Sequence, residues 1–231
     1  MNRIIIFRVI LIIAIYSLLQ AGCKKPGGSG LPVDADGNEY DTVVIGSQVW
    51  LAENLKTTKY NNGVPVPLIT DNDTWASRST AAFCWYDNDP SLKDTYGALY
   101  NWWAANEKIT SICPAGYHVP SDEEWLTLIN YLGGEDIAGD KLKAAGEQFW
   151  SSGNYSTNET GFTAMPGGWR SHMDGTFSSK GWKGYWWTSS HGIDDDSGLN
   201  VDMLASWPGA YITGHSLSKK AGFSVRCVKD N

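Results

Sequence analysis

The sequence has little positive charge. It contains 18 lysines and arginines against 25 aspartates and glutamates, which gives a net charge of −7 at pH 7. The basic residues form no cluster, whereas contact with a phosphate backbone requires one. The composition therefore argues against nucleic acid as a partner.

Catalytic and cofactor-binding motifs are also missing. The sequence has no GxSxG, HExxH or CxxC motif and no phosphate-binding glycine loop. The acids between Asp34 and Asp41 surround Gly37 as in part of a calcium loop, but such a loop needs six or more oxygens and a bidentate acid. We expect an Asp-Gly turn there and no cofactor, since no motif supports calcium.

No apolar run is long enough to span a bilayer. Residues 9–19 fall short of the ~20 residues that a transmembrane helix needs, and Arg8 precedes them. The run leads to LLQAGC at residues 18–23, which resembles a bacterial lipoprotein signal. The resemblance implies a signal peptide at residues 1–22, lipidation of Cys23 and an outer-membrane lipoprotein facing the periplasm or the cell surface. An ordinary secretory signal and a retained membrane anchor are the alternatives.

The rest of the sequence predicts a tether followed by one domain. Residues 23–33 are rich in glycine, proline and lysine and predict a flexible tether. Residues 34–231 are enough for one well-packed domain. Because residues 1–22 contain two arginines and no acid, their removal changes the net charge from −7 to −9.

Cysteines are few. An exported chain is expected to oxidise one pair among Cys84, Cys113 and Cys227. We expect Cys113 to pair with Cys227, which closes a loop of more than 100 residues and stabilises the fold by several kcal/mol. Cys84 is then a buried free thiol.

One helix is strongly marked at residues 121–132. Ser121 and Glu124 form a capping box, and apolar residues follow at the i, i+3, i+4 and i+7 positions of one helical face. Aromatic residues at helical spacing predict a second helix at residues 96–106. A third is predicted at residues 135–145.

Strands are predicted near both ends of the domain. The segment 40–51 predicts a hairpin about a two-residue turn at Gly46-Ser47. Later strand candidates are residues 161–165, 184–190, 199–204 and 223–228. This order of elements predicts an α+β fold, with two or three helices on short, twisted, mainly antiparallel strands joined by long loops.

Six ordered motifs carry a resemblance to a known family. They are GNEYDTVVIGSQVWLAENL (37–55), YGALYNWWAA (96–105), CPAGYHVPSDEEWLTL (113–128), GFTAMPGGWR (161–170), GYWWTSS (184–190) and GFSVRCV (222–228). Together they resemble the Fibrobacter succinogenes major paralogous domain, a family of exported, often lipid-anchored bacterial proteins. The resemblance implies a C-type lectin-like fold and supports the Cys113–Cys227 pair.

The family also resembles the formylglycine-generating, sulfatase-modifying fold, but neither this fold nor the C-type lectins lend their chemistry to this chain. Formylglycine-generating enzymes carry reactive cysteines just before their last strand, but residues 210–221 contain none. Sugar-binding C-type lectins hold calcium through Glu-Pro-Asn or Gln-Pro-Asp and Trp-Asn-Asp triplets, which do not occur here.

Tryptophan abundance is the main functional signal. The chain has 12 tryptophans. The ring faces of tryptophan stack on sugars, and its side chain is common in the hot spots of protein interfaces. Trp103 and Trp125 are expected in the core, and one of Trp186 and Trp187 is expected to face outward because strand neighbours alternate. The predicted binding residues lie in the later loops: Trp182, His191, Asp194, Asp195, Asp196, Trp207, Tyr211 and His215.

Three functional hypotheses follow. The first is a lipid-anchored recognition module of the cell envelope that binds glycan or protein without catalysis. The second is an enzyme that acts on envelope material or polysaccharide through a pair of carboxylates. The third is a structural envelope protein. His118, close to the capping box, is expected to form structural hydrogen bonds.

Overall fold

Short strands dominate the computed structural model, which describes residues 30–151, 153–213 and 217–230. Within these ranges the helices are α1 (Asn72–Ser77), α2 (Lys93–Tyr96), α3 (Trp102–Ala105), α4 (Asp122–Tyr131) and α5 (Glu135–Leu142). The strands are β1 (Thr42–Ile45), β2 (Gln48–Leu51), β3 (Phe83–Cys84), β4 (Leu99–Tyr100), β5 (Tyr117–His118), β6 (Trp169–Arg170), β7 (Phe177–Ser178), β8 (Lys183–His191), β9 (Ser197–Leu204), β10 (Tyr211–Ile212), β11 (Leu217–Ser218) and β12 (Val228–Lys229). The predicted signal peptide, Cys23 and most of the predicted tether lie outside the described residues.

The named strands pair antiparallel, as expected for the α+β class. The first sheet has the order β1-β2-β12-β5, in which Val228 pairs with Trp50 on one side and His118 on the other. In the second sheet β9 pairs with β8 along one edge and with β10 and β11 along the other. β3–β4 and β6–β7 form two small ladders. The last strand therefore joins the first hairpin to the strand before α4.

The disulfide between Cys113 and Cys227 reinforces this junction. The bond is present, with a Cα–Cα distance of 6.0 Å, and both residues are buried. Each cysteine precedes one of the paired strands β5 and β12, so the bond holds the start of the α4 segment against the chain's last strand. Cys84 is a buried free thiol, as predicted, and burial raises its pKa to about 12. A thiol in this state is a poor nucleophile.

Helix α4 begins with the predicted capping box. The Ser121 hydroxyl accepts from the Glu124 amide, and the Glu124 carboxylate accepts from the Ser121 amide. The same carboxylate binds His118 Nε2 at 2.9 Å, while His118 Nδ1 lies 2.7 Å from Asp230. His118 therefore has the expected structural role, because it connects the helix cap to the chain end.

The β8–β9 ladder is covered on both faces. Trp186 packs with Trp125 and the side of the core formed by α4 and α5, whereas Trp187 packs with Phe223 and the side formed by β4 and α3. Both indoles are fully buried. The prediction that one of them faces outward is wrong, because alternation along a strand exposes a residue only where one sheet face is open to solvent.

Other predictions required correction. Residues 96–106 are not one helix: Gly97, at φ 74°, ends α2, and the Asn101 side chain caps α3 after the intervening strand β4. Among the late candidates, residues 161–165 form no strand and contribute one isolated bridge, at Ala164; within residues 223–228 only Val228 lies in a strand, while Phe223 and Ser224 form isolated bridges. The Gly46-Ser47 hairpin and strands β8 and β9 are confirmed.

Buried cations replace part of the missing strand pairing. Arg226 is fully buried and donates to the carbonyls of Leu51 and Phe162 and to the Asn54 side chain. Burial lowers the pKa of Arg226 to about 9, so the guanidinium stays charged at pH 7. Arg170 likewise donates to carbonyls, including that of Thr70. Irregular segments are thus held by side-chain donors where no strand lies alongside.

Candidate functional site

The β8–β9 hairpin separates the predicted binding residues into two groups. His191, opposite Gly198, lies at the hairpin tip, which we define as residues 191–198. The tip includes Asp194, Asp195 and Asp196. The hairpin base, defined as Trp182, Trp207 and Tyr211, lies around Leu204 at the other end of β9. Six residues of strand, about 20 Å, separate Gly198 from Leu204. The structure does not bring the groups together, and His215 lies outside the described residues.

Two half-exposed tryptophans mark the hairpin base. Trp182 is 55% exposed and Trp207 is 54% exposed. The Trp207 indole N–H donates to the Tyr211 hydroxyl at 2.5 Å, which donates in turn to Asp136 at 3.1 Å. Burial and the nearby acids raise the pKa of Tyr211, although the bond from Trp207 lowers it. The phenol therefore keeps the proton that orients this chain of hydrogen bonds.

A buried lysine holds the loop that carries Trp207. The Lys143 ammonium donates to the carbonyls of Leu204 at 2.9 Å and Trp207 at 2.7 Å, and it pairs with Asp140 at 3.1 Å. Burial lowers the pKa of Lys143 and Asp140 counteracts this effect. These contacts fix the backbone below an exposed indole, which reduces the entropy that a bound ligand would have to overcome.

At the hairpin tip, His191 belongs to a small cluster with Trp102 and Lys219. Its ring centroid lies 4.8 Å from that of Trp102, and the Lys219 ammonium lies 4.3 Å from the Trp102 ring centre. The ammonium also donates to the Asp195 carbonyl and lies 3.3 Å from His191 Nδ1. Because an ammonium can only donate, Nδ1 is the acceptor and the ring proton is on Nε2.

A first cleft opens beside this cluster. Its volume is about 490 Å³, and its walls include Trp102, His118, Ser189 and His191. Both histidines already bind protein groups: His118 contacts Asp230 and Glu124, and His191 contacts Lys219.

A second cleft lies on the other side of α3, with a volume of about 360 Å³. Its walls come from five separate segments: Ser79, Trp103, His172, Asp196, Ser218 and Lys220. Of these, only Asp196 was expected in a binding site. Trp103 was expected in the core and is only partly buried there. The sequence offers no signal for the cleft, since its residues are distant along the chain.

Acidic residues do not gather into a metal centre in the part of the chain that the structure describes. No group of three or more histidine, cysteine, aspartate or glutamate side chains could hold an ion there. At the tip, Asp194 accepts a hydrogen bond from the Asp196 amide. Around Gly37, the Asp34 carboxylate accepts from the Asn38 amide and the Tyr40 hydroxyl, as in an Asp-Gly turn.

A pair of carboxylates lines a third cleft of about 260 Å³. Glu53 and Asp94 both approach the Lys56 ammonium, at 3.1 and 3.5 Å. One ammonium thus binds both carboxylates, which a glycosidase would keep free for the sugar and the attacking water.

By its structure, the protein is an α+β domain with one disulfide bond, and its loops carry exposed aromatic side chains and open clefts. None of the helices that the structure describes has the length and apolar character of a membrane span. The sequence matches the family model of the Fibrobacter succinogenes major domain over residues 43–229, and the chain belongs to this family. Comparisons with curated proteins and with solved structures gave no match.

Proposed function

We propose that this protein is a lipid-anchored recognition module of the bacterial outer membrane, with a C-type lectin-like fold, that binds glycan or protein ligands without catalysis. The lipoprotein-like segment ending at Cys23 supports the anchor. The buried disulfide between Cys113 and Cys227 supports export, because such bonds persist in oxidising compartments.

The observation that carries the proposal is the hairpin base. Trp182 and Trp207 expose about half of their surfaces on adjoining backbone, since the Ala205 amide donates to the Trp182 carbonyl. Large apolar side chains that are exposed next to one another mark interaction surfaces, whereas single exposed ones do not. Indole faces suit sugar rings and also the apolar centre of a protein interface.

The carboxylates favour binding over catalysis. A carboxylate pair that performs glycoside hydrolysis leaves room for the sugar between its members. Glu53 and Asp94 instead share the ammonium of Lys56. This arrangement supports a structural ion-pair role for the third cleft.

The test is a binding screen against a glycan array and extracts of cell envelope, with the full chain and three variants. Trp207→Ala and Trp182→Ala remove the exposed indoles, and Met173→Ala removes another exposed apolar side chain, on the β6–β7 turn. We expect each tryptophan variant to lose about 2 kcal/mol of binding free energy, roughly 30-fold in affinity. Met173→Ala should bind like the wild type.

Equal binding of wild type and Trp207→Ala to every ligand found would remove the site assignment. Circular dichroism in the near ultraviolet confirms that each variant keeps its tertiary packing. Because Lys143 binds the Trp207 carbonyl and not its side chain, the loop is expected to stay in place without the indole.

A further inference from the structure

The second cleft collects polar groups that the protein leaves unused. Within the described residues, the Asp196 carboxylate and the Lys220 ammonium form no hydrogen bond or ion pair, either with each other or with a third group. The His172 Nδ1 atom is buried and also has no partner there. Buried polar atoms are nearly always paired, so an unpaired one on a cleft wall calls for an explanation.

The cleft walls are fixed relative to one another. The Trp102 amide donates to the Lys219 carbonyl at 2.9 Å, and the Lys219 amide donates to the Asp196 carbonyl at 2.9 Å. Arg170, which precedes the turn containing His172, exchanges two backbone hydrogen bonds with Gly222. These bonds connect α3, the hairpin tip, β11 and the β6–β7 turn, so the backbone that carries the wall residues is fixed before any ligand arrives.

We propose that the second cleft binds a free α-amino acid, with the ligand's ammonium at Asp196 and its carboxylate at Lys220. One positive and one negative residue line the same cleft, and no ion pair joins them. A zwitterion satisfies both through charge-assisted hydrogen bonds, whereas a neutral sugar or a singly charged ion leaves one of them unused.

The remaining wall residues suit the same ligand. Trp103 lines the same cleft as Asp196, and an indole face attracts an ammonium group as a carboxylate does. Burial and the Lys220 charge lower the pKa of His172, against the opposing effect of Asp174, so the imidazole is neutral at pH 7. It can hydrogen-bond the ligand without changing the charge balance. The volume of about 360 Å³ is at the small end of the ~300–1,000 Å³ typical of ligand sites.

Isothermal titration of the full chain with alanine and phenylalanine tests the proposal directly. Each amino acid is compared with its amide, which lacks the carboxylate, and with its N-acetyl form, which lacks the ammonium. We expect at least one of the two amino acids to bind, and both of its derivatives to bind about tenfold more weakly or not at all.

Two variants assign the charges to residues. Lys220→Gln should weaken binding of the amino acid about tenfold but leave the weaker binding of its amide unchanged. Asp196→Asn should also weaken binding of the amino acid about tenfold, but it should leave the weaker binding of the N-acetyl form unchanged. Asp41→Asn makes the same charge change at an exposed site outside the cleft and serves as the control.

Three results would overturn the proposal. They are the absence of binding by both amino acids at millimolar concentration, equal binding of an amino acid and its two derivatives, and equal loss in Asp196→Asn and Asp41→Asn. Glucose, titrated in parallel, should not bind at this cleft. If glucose binds to the wild type and not to Asp196→Asn, the ligand of the cleft is a sugar and not an amino acid. The recognition surface at the hairpin base is tested by Trp207→Ala, so either proposal can fail alone.

Discussion

Removal of the Cys113–Cys227 disulfide tests how far the fold depends on one covalent bond. The two residues are 114 positions apart in sequence, and the bond stabilises the protein by restricting the unfolded chain. The chain-entropy relation gives about 5 kcal/mol at 25 °C for a loop of this length. This is a large share of the ~5–15 kcal/mol by which a typical domain is stable.

The measurement compares wild type with the Cys113→Ala/Cys227→Ala double variant in urea. Emission of buried tryptophans such as Trp50 and Trp125 reports unfolding. With an m value of about 2.5 kcal/mol per molar urea, a loss of about 5 kcal/mol lowers the unfolding midpoint by about 2 M. Cys84→Ala is the control, because this thiol is equally buried but closes no loop; its expected cost is about 1 kcal/mol.

A midpoint shift below about 0.5 M in the double variant would refute this reasoning. It would mean that the unfolded chain is already confined without the bond, by residual contacts between its two ends. A shift as large in Cys84→Ala as in the double variant would also refute it, since cavity formation would then account for the loss.

Two further predictions concern a histidine and a glycine. Burial lowers the pKa of His118, but its bonds to Asp230 and Glu124 raise it more, so the folded pKa lies above 6.5. The stability that His118 adds relative to His118→Gln should therefore be full below pH 6.5 and decline as pH rises through the folded pKa. An equal difference between the two proteins in urea unfolding at pH 5.5 and at pH 8.5 would contradict this. A Cβ atom on Gly139 would lie 2.1 Å from the Gly209 carbonyl oxygen. Gly139→Ala should therefore lower the free energy of unfolding by about 3 kcal/mol and displace the Trp207 loop. A lowered thermal midpoint together with lost ligand binding would confirm this prediction, and an unchanged midpoint would exclude it.

Features that depend on nearby residues could be predicted from the sequence. The capping box of α4 involves Ser121 and Glu124 only, and the Gly46-Ser47 turn is equally local, so both are readable without knowledge of the fold. Residues 96–106 show the opposite case. Their apolar spacing fits a helix, but Gly97 interrupts it and β4 pairs with β3, so tertiary pairing overrides a pattern that is locally valid.

In the candidate sites, too, features set by nearby residues could be predicted and features set by strand pairing could not. The exposure of Trp182 and Trp207 could be inferred because glycine and proline neighbours indicate irregular segments. The two groups of predicted residues are both in late loops, but their separation depends on the register of β8 and β9, in which His191 pairs with Gly198 and Lys183 with Leu204. Register is a property of paired strands, so one strand's sequence does not reveal it.

Buried cations explain how a domain with so few long strands can hold exposed side chains in fixed positions. A loop exposes carbonyl groups that a strand would pair, and burying them unpaired costs about 1–3 kcal/mol each. Lys143, Arg170 and Arg226 each donate to several such carbonyls from within the core. Because one guanidinium or ammonium serves two or three loop carbonyls at once, a loop can change its outward side chains and keep its anchor. At the hairpin base, Lys143 holds the Trp207 loop through main-chain carbonyls and makes no hydrogen bond to the indole itself, so the anchor does not depend on the exposed side chain.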